Sequence, residues 1–134
     1  MKTYLGSCDC KKVTFEAPLD LKNGTGRCNC TLCTKKRWWG AKVNPPEAFK
    51  LLSGKDDLVE YVPGKVGHNF FRRYCGIQVY GSGELPAQFG GKYLSVNVAA
   101  LDGVSPEEWG EADLHYMDGL HDAWWNKPKI TSYL

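Results

Sequence analysis

Six cysteines in three blocks constrain this chain more than any other feature. Cys8 and Cys10 form a CxC pair, Cys28, Cys30 and Cys33 form CxCxxC, and Cys75 stands alone before Gly76. Six thiolates suffice for two metal sites of three ligands each, and zinc held by three protein ligands keeps a fourth position open for chemistry. The CxCxxC triplet is the specific part of the pattern. A lone CxC or a lone Cys-Gly carries little by itself.

A disulfide framework is the rival reading, because six is even and the chain has only 134 residues. Residues in a CxC pair rarely meet disulfide geometry with each other, so Cys8, Cys10, Cys28 and Cys30 would all need distant partners. Met1 to Ser7 contains one basic residue and no apolar segment of the kind a secretory leader needs. With 43% hydrophobic residues the chain can build a core without covalent staples. Reduced, metal-binding thiols in the cytoplasm are therefore the expectation.

One domain spanning residues 1–134 is expected, with no internal repeat and no linker. No run of about 18 apolar residues is present, which argues against a membrane-spanning helix. The load of 5 Trp, 7 Tyr and 5 Phe, punctuated by 15 Gly and 7 Pro, favours short strands and turns over long helices. The net charge of +2 is unevenly spread: residues 1–42 carry nine Lys or Arg against three acids, and residues 101–134 carry two Lys against seven acids. Six thiolates and two divalent zinc ions would bring the total near zero, so the basic N-terminal third reads as compensation for thiolate charge. It is no strong sign of nucleic acid.

Strands are expected over residues 12–17, 38–43, 49–52, 58–62, 68–74, 77–80 and 92–101. Ser53-Gly54-Lys55-Asp56 reads as a hairpin connection between two of them. Pro18 to Gly26 reads as a polar connection with a turn at Asn23-Gly24. The triplet falls where a strand end becomes a loop or one short helical turn, whose amides can point at sulfur. Cys75 falls at a tight turn in which Gly76 supplies a positive φ. Pro106 to Trp109 reads as a single helical turn.

Three segments together resemble the signature blocks of the glutathione-dependent formaldehyde-activating enzyme family, whose domain is shared with centromere protein V: Gly6-Ser7-Cys8-Asp9-Cys10, Cys28-Asn29-Cys30-Thr31-Leu32-Cys33, and Phe71-Arg72-Arg73-Tyr74-Cys75-Gly76. Met117 to Trp124 resembles that family's C-terminal aspartate-glycine and tryptophan segment. The resemblance implies a mostly β, zinc-binding β-tent fold. It further implies a structural zinc at Cys8, Cys10 and Cys75 and a catalytic zinc at Cys28, Cys30 and Cys33. Zinc is the implied cofactor, and a carbon-sulfur lyase using glutathione and formaldehyde is the implied activity.

The sequence departs from that pattern at Arg72, which stands where the family has a fourth cysteine ligand. Guanidinium stays protonated and cannot bind the metal. The gap is then filled by His68, by water or by another group, or the site holds no zinc and the arginine offsets the thiolate charge instead. The intact triplet needs no such repair. Zinc with three thiolates can take a substrate thiol, deprotonate it, and so provide a sulfur nucleophile for a small aldehyde.

The alternatives are bland but definite. The triplet zinc can be purely structural, completed by a distant ligand. The domain can be a zinc-stabilised binding module, since related domains occur in proteins that bind chromatin or cytoskeleton. The acidic last third is unfavourable to phosphate contacts, so neither nucleic acid nor membrane is an expected partner. Lys35-Lys36-Arg37 is either a carboxylate-binding element or a solvated basic turn. Trp38-Trp39 divides between pocket wall and core. His121 and Asp118 are either an acid-base pair near the zinc or, more plainly, a partly exposed side chain and part of a β-turn at Asp118-Gly119.

Overall fold

The computed structural model describes residues 1–134 and is mostly β, as expected. Its strands are β1 (Lys2–Ser7), β2 (Thr14–Leu19), β3 (Thr25–Cys28), β4 (Gly40–Lys42), β5 (Lys50–Ser53), β6 (Leu58–Tyr61), β7 (His68–Arg72), β8 (Gln78–Glu84), β9 (Lys92–Asn97) and β10 (Leu114–Met117). Two short helices, α1 (Thr31–Lys36) and α2 (Pro106–Gly110), complete the regular structure together with single 3-10 turns. No helix is long and apolar enough to cross a membrane.

The strands form two sheets: a three-stranded sheet in the order β1-β2-β5 and a seven-stranded one in the order β10-β3-β4-β9-β8-β7-β6. Every pairing is antiparallel except β10 with β3. Alternation explains how the small sheet packs. Along β2, Phe15, Ala17 and Leu19 are buried while Thr14, Glu16 and Pro18 are only partly so, the period of a strand with one face on a core. That face meets Ala41, Val79 and Val96 of the large sheet in one cluster.

Aromatic contacts carry the core from one sheet to the other. Phe15 of β2 lies 5.6 Å from Phe49, Phe49 lies 4.6 Å from Tyr80 of β8, and Tyr80 stacks on Phe70 of β7 at 4.5 Å. Such pairs are worth about 0.5–1.5 kcal/mol each beyond the area they bury.

Three local expectations need correction. Residues 49–52 and 58–62 are both strands but not a hairpin, because β5 joins β2 and β6 joins β7. The intervening Gly54 (φ 85°) and the 3-10 turn Lys55–Asp57 carry the chain across from one sheet to the other. Strand β2 runs through Pro18, since β5 pairs only as far as Glu16 and the missing N–H falls beyond that ladder. The segment from Lys92 leaves strand geometry at Asn97, whose side chain accepts from the Ala99 amide at 3.1 Å and starts a 3-10 turn.

Candidate metal centres

Strand β3 delivers Cys28, and the chain turns at once into α1. Cys30 is the N-cap, in extended conformation (φ −61°, ψ 158°), and its Sγ accepts from the Cys33 amide at 3.4 Å. The Cys30 amide in turn donates to Cys28 Sγ at 3.4 Å. A sulfur therefore takes the capping place that oxygen side chains usually hold, and three ligand atoms gather within 4.8 Å of one another. Cys28 is buried, and Cys30 and Cys33 are half-buried.

Hydrogen bonds from the Cys33 thiol and, against the cost of burial, from the Cys30 and Gly119 amides bring the Cys28 pKa down to about 5. Sharing that hydrogen bond as the donor, and being buried, pushes Cys33 far up. Cys28 is thereby the more readily ionised sulfur of this pair.

The C-terminal segment closes over this turn. β10 pairs in parallel with β3 so that Met117 stands beside Cys28, and the Asn29 amide nitrogen donates to Met117 O at 3.1 Å. Buried Asn29 donates its side-chain amide to Asp118 Oδ1 at 2.9 Å and accepts from the Leu120 amide at 2.9 Å. Asp118 also holds exposed His121, at 2.9 Å from its Nδ1. Its hydrogen bond from Asn29, opposed by desolvation and aided by His121, lowers the carboxyl pKa. A Cβ added at Gly119 would come 2.5 Å from Cys28 Sγ and 2.9 Å from Trp124 Nε1, so only glycine lets this backbone approach the sulfur so closely.

Asp118-Gly119 is consequently more than a surface turn. Gly119 opens a 3-10 turn whose amide supports a ligand, which the dipeptide alone does not reveal. Asn29 was also passed over in the sequence. Its signal was present as a polar residue enclosed between two ligands, a position where side chains commonly orient the ligand set.

A cleft of about 410 Å³ lies beside α1, lined by Leu32, Lys36, Trp38, Asn69, Phe71 and Gln78 among others. Lys36 Nζ donates to Asn69 Oδ1 at 2.8 Å and stands 4.7 Å from the Trp38 ring centroid. Burial lowers its pKa, while the charges of Cys33, Cys30 and Cys28 act in the opposite direction. The three basic residues have thereby separated: Lys35 is exposed, Lys36 enters the cleft, and Arg37 caps the helix in left-handed conformation (φ 55°) and donates to the Tyr133 carbonyl. The tryptophans separate too. Trp38 lines the cleft and Trp39 packs against the core.

The second group gathers Cys8, Cys10 and Cys75, again within 4.8 Å. Cys8 starts a tight loop in which its N–H donates to Val13 O, its carbonyl accepts from Lys11, and its Sγ accepts from the Val13 amide at 3.4 Å. Cys75 sits in the β7–β8 turn, closed by the Gly76 amide on Arg72 O, with Gly76 at φ 75° as expected. The Lys12 amide, with further help from Cys8, Arg72 and Cys75, lowers the Cys10 pKa to about 7. Burial raises that of Cys8.

His68 does not fill the missing ligand position. Its Nδ1 is engaged by Glu60 on the neighbouring strand, and it is absent from the three-sulfur group. Arg72 is instead buried beside the sulfurs and donates Nε–H to Cys10 Sγ at 3.3 Å.

The sequence model of the glutathione-dependent formaldehyde-activating enzymes matches residues 3–118, most of the chain. The chain belongs to this family. Among solved structures, it is similar to a crystal structure of a Rhodobacter sphaeroides protein, at 25% identity and a TM-score of 0.70, over 84% of this chain and 99% of that one. Membership in the glutathione-dependent formaldehyde-activating family agrees with the donor chemistry: two groups of three sulfurs, each close enough to share one ion, and each with amide donors placed behind it. Three convergent thiolates suit zinc and other thiophilic cations.

Proposed function

We propose that this chain is a zinc-dependent carbon-sulfur lyase-like enzyme, acting in the cytoplasm on the adduct of a glutathione-like thiol with formaldehyde or another small aldehyde. Residues 1–134 act as one zinc-binding domain in this reading. The observation that carries it is the gathering of a three-sulfur donor set, Cys28 at the end of β3, Cys30 at the N-cap of α1 and Cys33 within it, while Lys36 at the far end of the same helix lines the neighbouring cleft. Family membership supports the same chemistry.

Zinc held by the triplet supplies the Lewis acidity that keeps a substrate thiol deprotonated at neutral pH. The protein's own groups prepare that chemistry. Amides of Cys30, Cys33 and Gly119 donate to the ligand sulfurs and fix their direction. Asn29 and Asp118 clamp the C-terminal segment against them. Lys36, steadied by Asn69 and Trp38, offers a cation to a carboxylate of the thiol.

In the bond-forming direction the substrate sulfur attacks the carbonyl carbon. The carbon-sulfur bond forms as the C=O π pair moves to oxygen, which takes up the proton released by the thiol. Cleavage reverses each step. Both directions demand that thiol and aldehyde meet in one orientation, and this is what binding of the remote carboxylate at Lys36 secures.

Cobalt substitution tests the reading. Added glutathione is expected to change the thiolate-to-cobalt and d–d absorption of the loaded protein, with loss of the response in Cys30→Ser. Unchanged spectra across a broad panel of thiols would rule the proposal out.

A further inference from the structure

The Cys8, Cys10 and Cys75 group sits at a joint between the sheets. Cys8 and Cys10 belong to the β1–β2 connection of the three-stranded sheet, and Cys75 to the β7–β8 turn of the seven-stranded one. Cys8 Sγ and Cys10 Sγ are 3.6 Å apart. That is close to the roughly 3.8 Å between two sulfurs bound at about 2.3 Å to one tetrahedral ion. The donor set fits a thiophilic divalent cation, yet it lacks the fourth protein ligand that closes a structural site.

Arg72 stands in that place. The residue is only 5% exposed, and its backbone is pinned by pairing with Ile77 and Leu58. The guanidinium lies 4.9 Å from the Tyr74 ring centroid, and Nε–H donates to Cys10 Sγ at 3.3 Å. Nη1 is buried without a hydrogen bond, since Asp57 Oδ1 at 3.4 Å is off the required line. The enclosed guanidinium is thus shared between a hydrogen bond to Cys10 and an ion pair with Asp57.

The charges account for the exchange of ligand for cation. Three thiolates around a divalent ion leave the centre one charge negative, a costly surplus at a partly buried position. A fixed guanidinium in contact with one of the sulfurs offsets that surplus and donates to the ligand, as outer-shell donors in metal sites do. Cys10 is exposed, so an ion held by these sulfurs can be reached by solvent and chelator at that ligand.

We propose that Cys8, Cys10 and Cys75 form an exchangeable site for a thiophilic divalent cation, its surplus negative charge offset by Arg72 and its Cys10 ligand exposed to solvent. It differs from a closed four-thiolate site in releasing its ion readily. The joint between the sheets is held by the Arg72–Cys10 hydrogen bond when the ion leaves. This assignment is independent of the lyase reading, which concerns the other three cysteines.

Cadmium titration of the full chain carrying Cys30→Ser and Cys33→Ser isolates the site. Uptake is followed by thiolate-to-cadmium absorption, and retention by competition with a chelator. One ion per chain is expected, removable by a chelator of moderate strength. Adding Arg72→Met should weaken binding by about 10–100-fold, the usual effect of losing an outer-shell donor. Adding Arg72→Cys should make the ion resist the same chelator. Failure of the parent to take up cadmium, equal affinity in Arg72→Met, or no tighter retention in Arg72→Cys would each overturn the proposal. Should Arg72→Met not fold, as judged by near-ultraviolet circular dichroism, the Arg72→Cys result decides alone.

Discussion

The side-chain amide of Asn29, enclosed between Cys28 and Cys30, donates to Asp118 Oδ1 at 2.9 Å and ties the ligand turn to a segment far along the chain. The same side chain accepts from the Leu120 amide. Asn29→Ala leaves a carboxylate and a backbone N–H without their partner in a buried setting. The expected cost is about 1–3 kcal/mol of stability, read from urea unfolding. Metal affinity at the triplet should also fall by about 10–100-fold, read by chelator competition.

Gly119→Ala probes the close approach of backbone to sulfur. The new methyl would press on Cys28 Sγ at 2.5 Å and on Trp124 Nε1 at 2.9 Å, so the segment must move away from the triplet. A loss of about 1–3 kcal/mol is expected. Metal stoichiometry on the variant should show weakened retention at Cys28, Cys30 and Cys33 with the other group unaffected, because no part of that group contacts Gly119 in the same way.

Lys36→Gln tests the carboxylate anchor. A charge-assisted contact is worth about 1.5–3 kcal/mol, so kcat/KM for a thiol bearing a carboxylate should fall by at least about tenfold through KM. The corresponding change for an uncharged thiol should be small. Equal losses for both substrates would place Lys36 in a structural role, held by Asn69 and Trp38.

The metal-stripped, reduced protein should become more stable between pH 6 and pH 8. Cys28 and Cys10 have folded-state pKa values of about 5 and about 7, below the ordinary thiol value of 9.0. In that window the unfolded chain binds more protons than the folded one, so stability rises with pH. It is lost as pH falls through the two folded values. Urea midpoints at the two pH values, taken with chelator and reductant present, should therefore shift upward with pH. A flat or falling trend would contradict the hydrogen bonding described for these sulfurs.

The two cysteine groups were legible in the sequence because ligand spacing is local information: CxCxxC can reach one ion from a single turn, whatever surrounds it. Strand periodicity likewise located most of β2, β4, β6 and β9. Partnership between strands was not legible. Residues 50–53 and 58–61 look like a hairpin from their loop, and only the burial of β2 shows why β5 joins the other sheet. The segment holding Asp118 and Gly119 stood out by resemblance, but its contacts with Asn29 and Cys28 did not, because they depend on a parallel pairing between distant strands, which leaves no periodic trace at either end. Arg72 stood out as a misfit, but its contact with Cys10 needed coordinates.

That parallel pairing also bears on how the protein is made. The Asn29–Asp118 contact closes across 89 positions, and Met117 must be beside Cys28 before the clamp exists. During synthesis the N-terminal portion emerges first, so Cys28, Cys30 and Cys33 leave the ribosome long before the segment that secures them. The triplet can meet ions, thiols and aldehydes as a loose turn for most of that time. The amide and carboxylate contacts that hold the turn can form only once the last strand has been made.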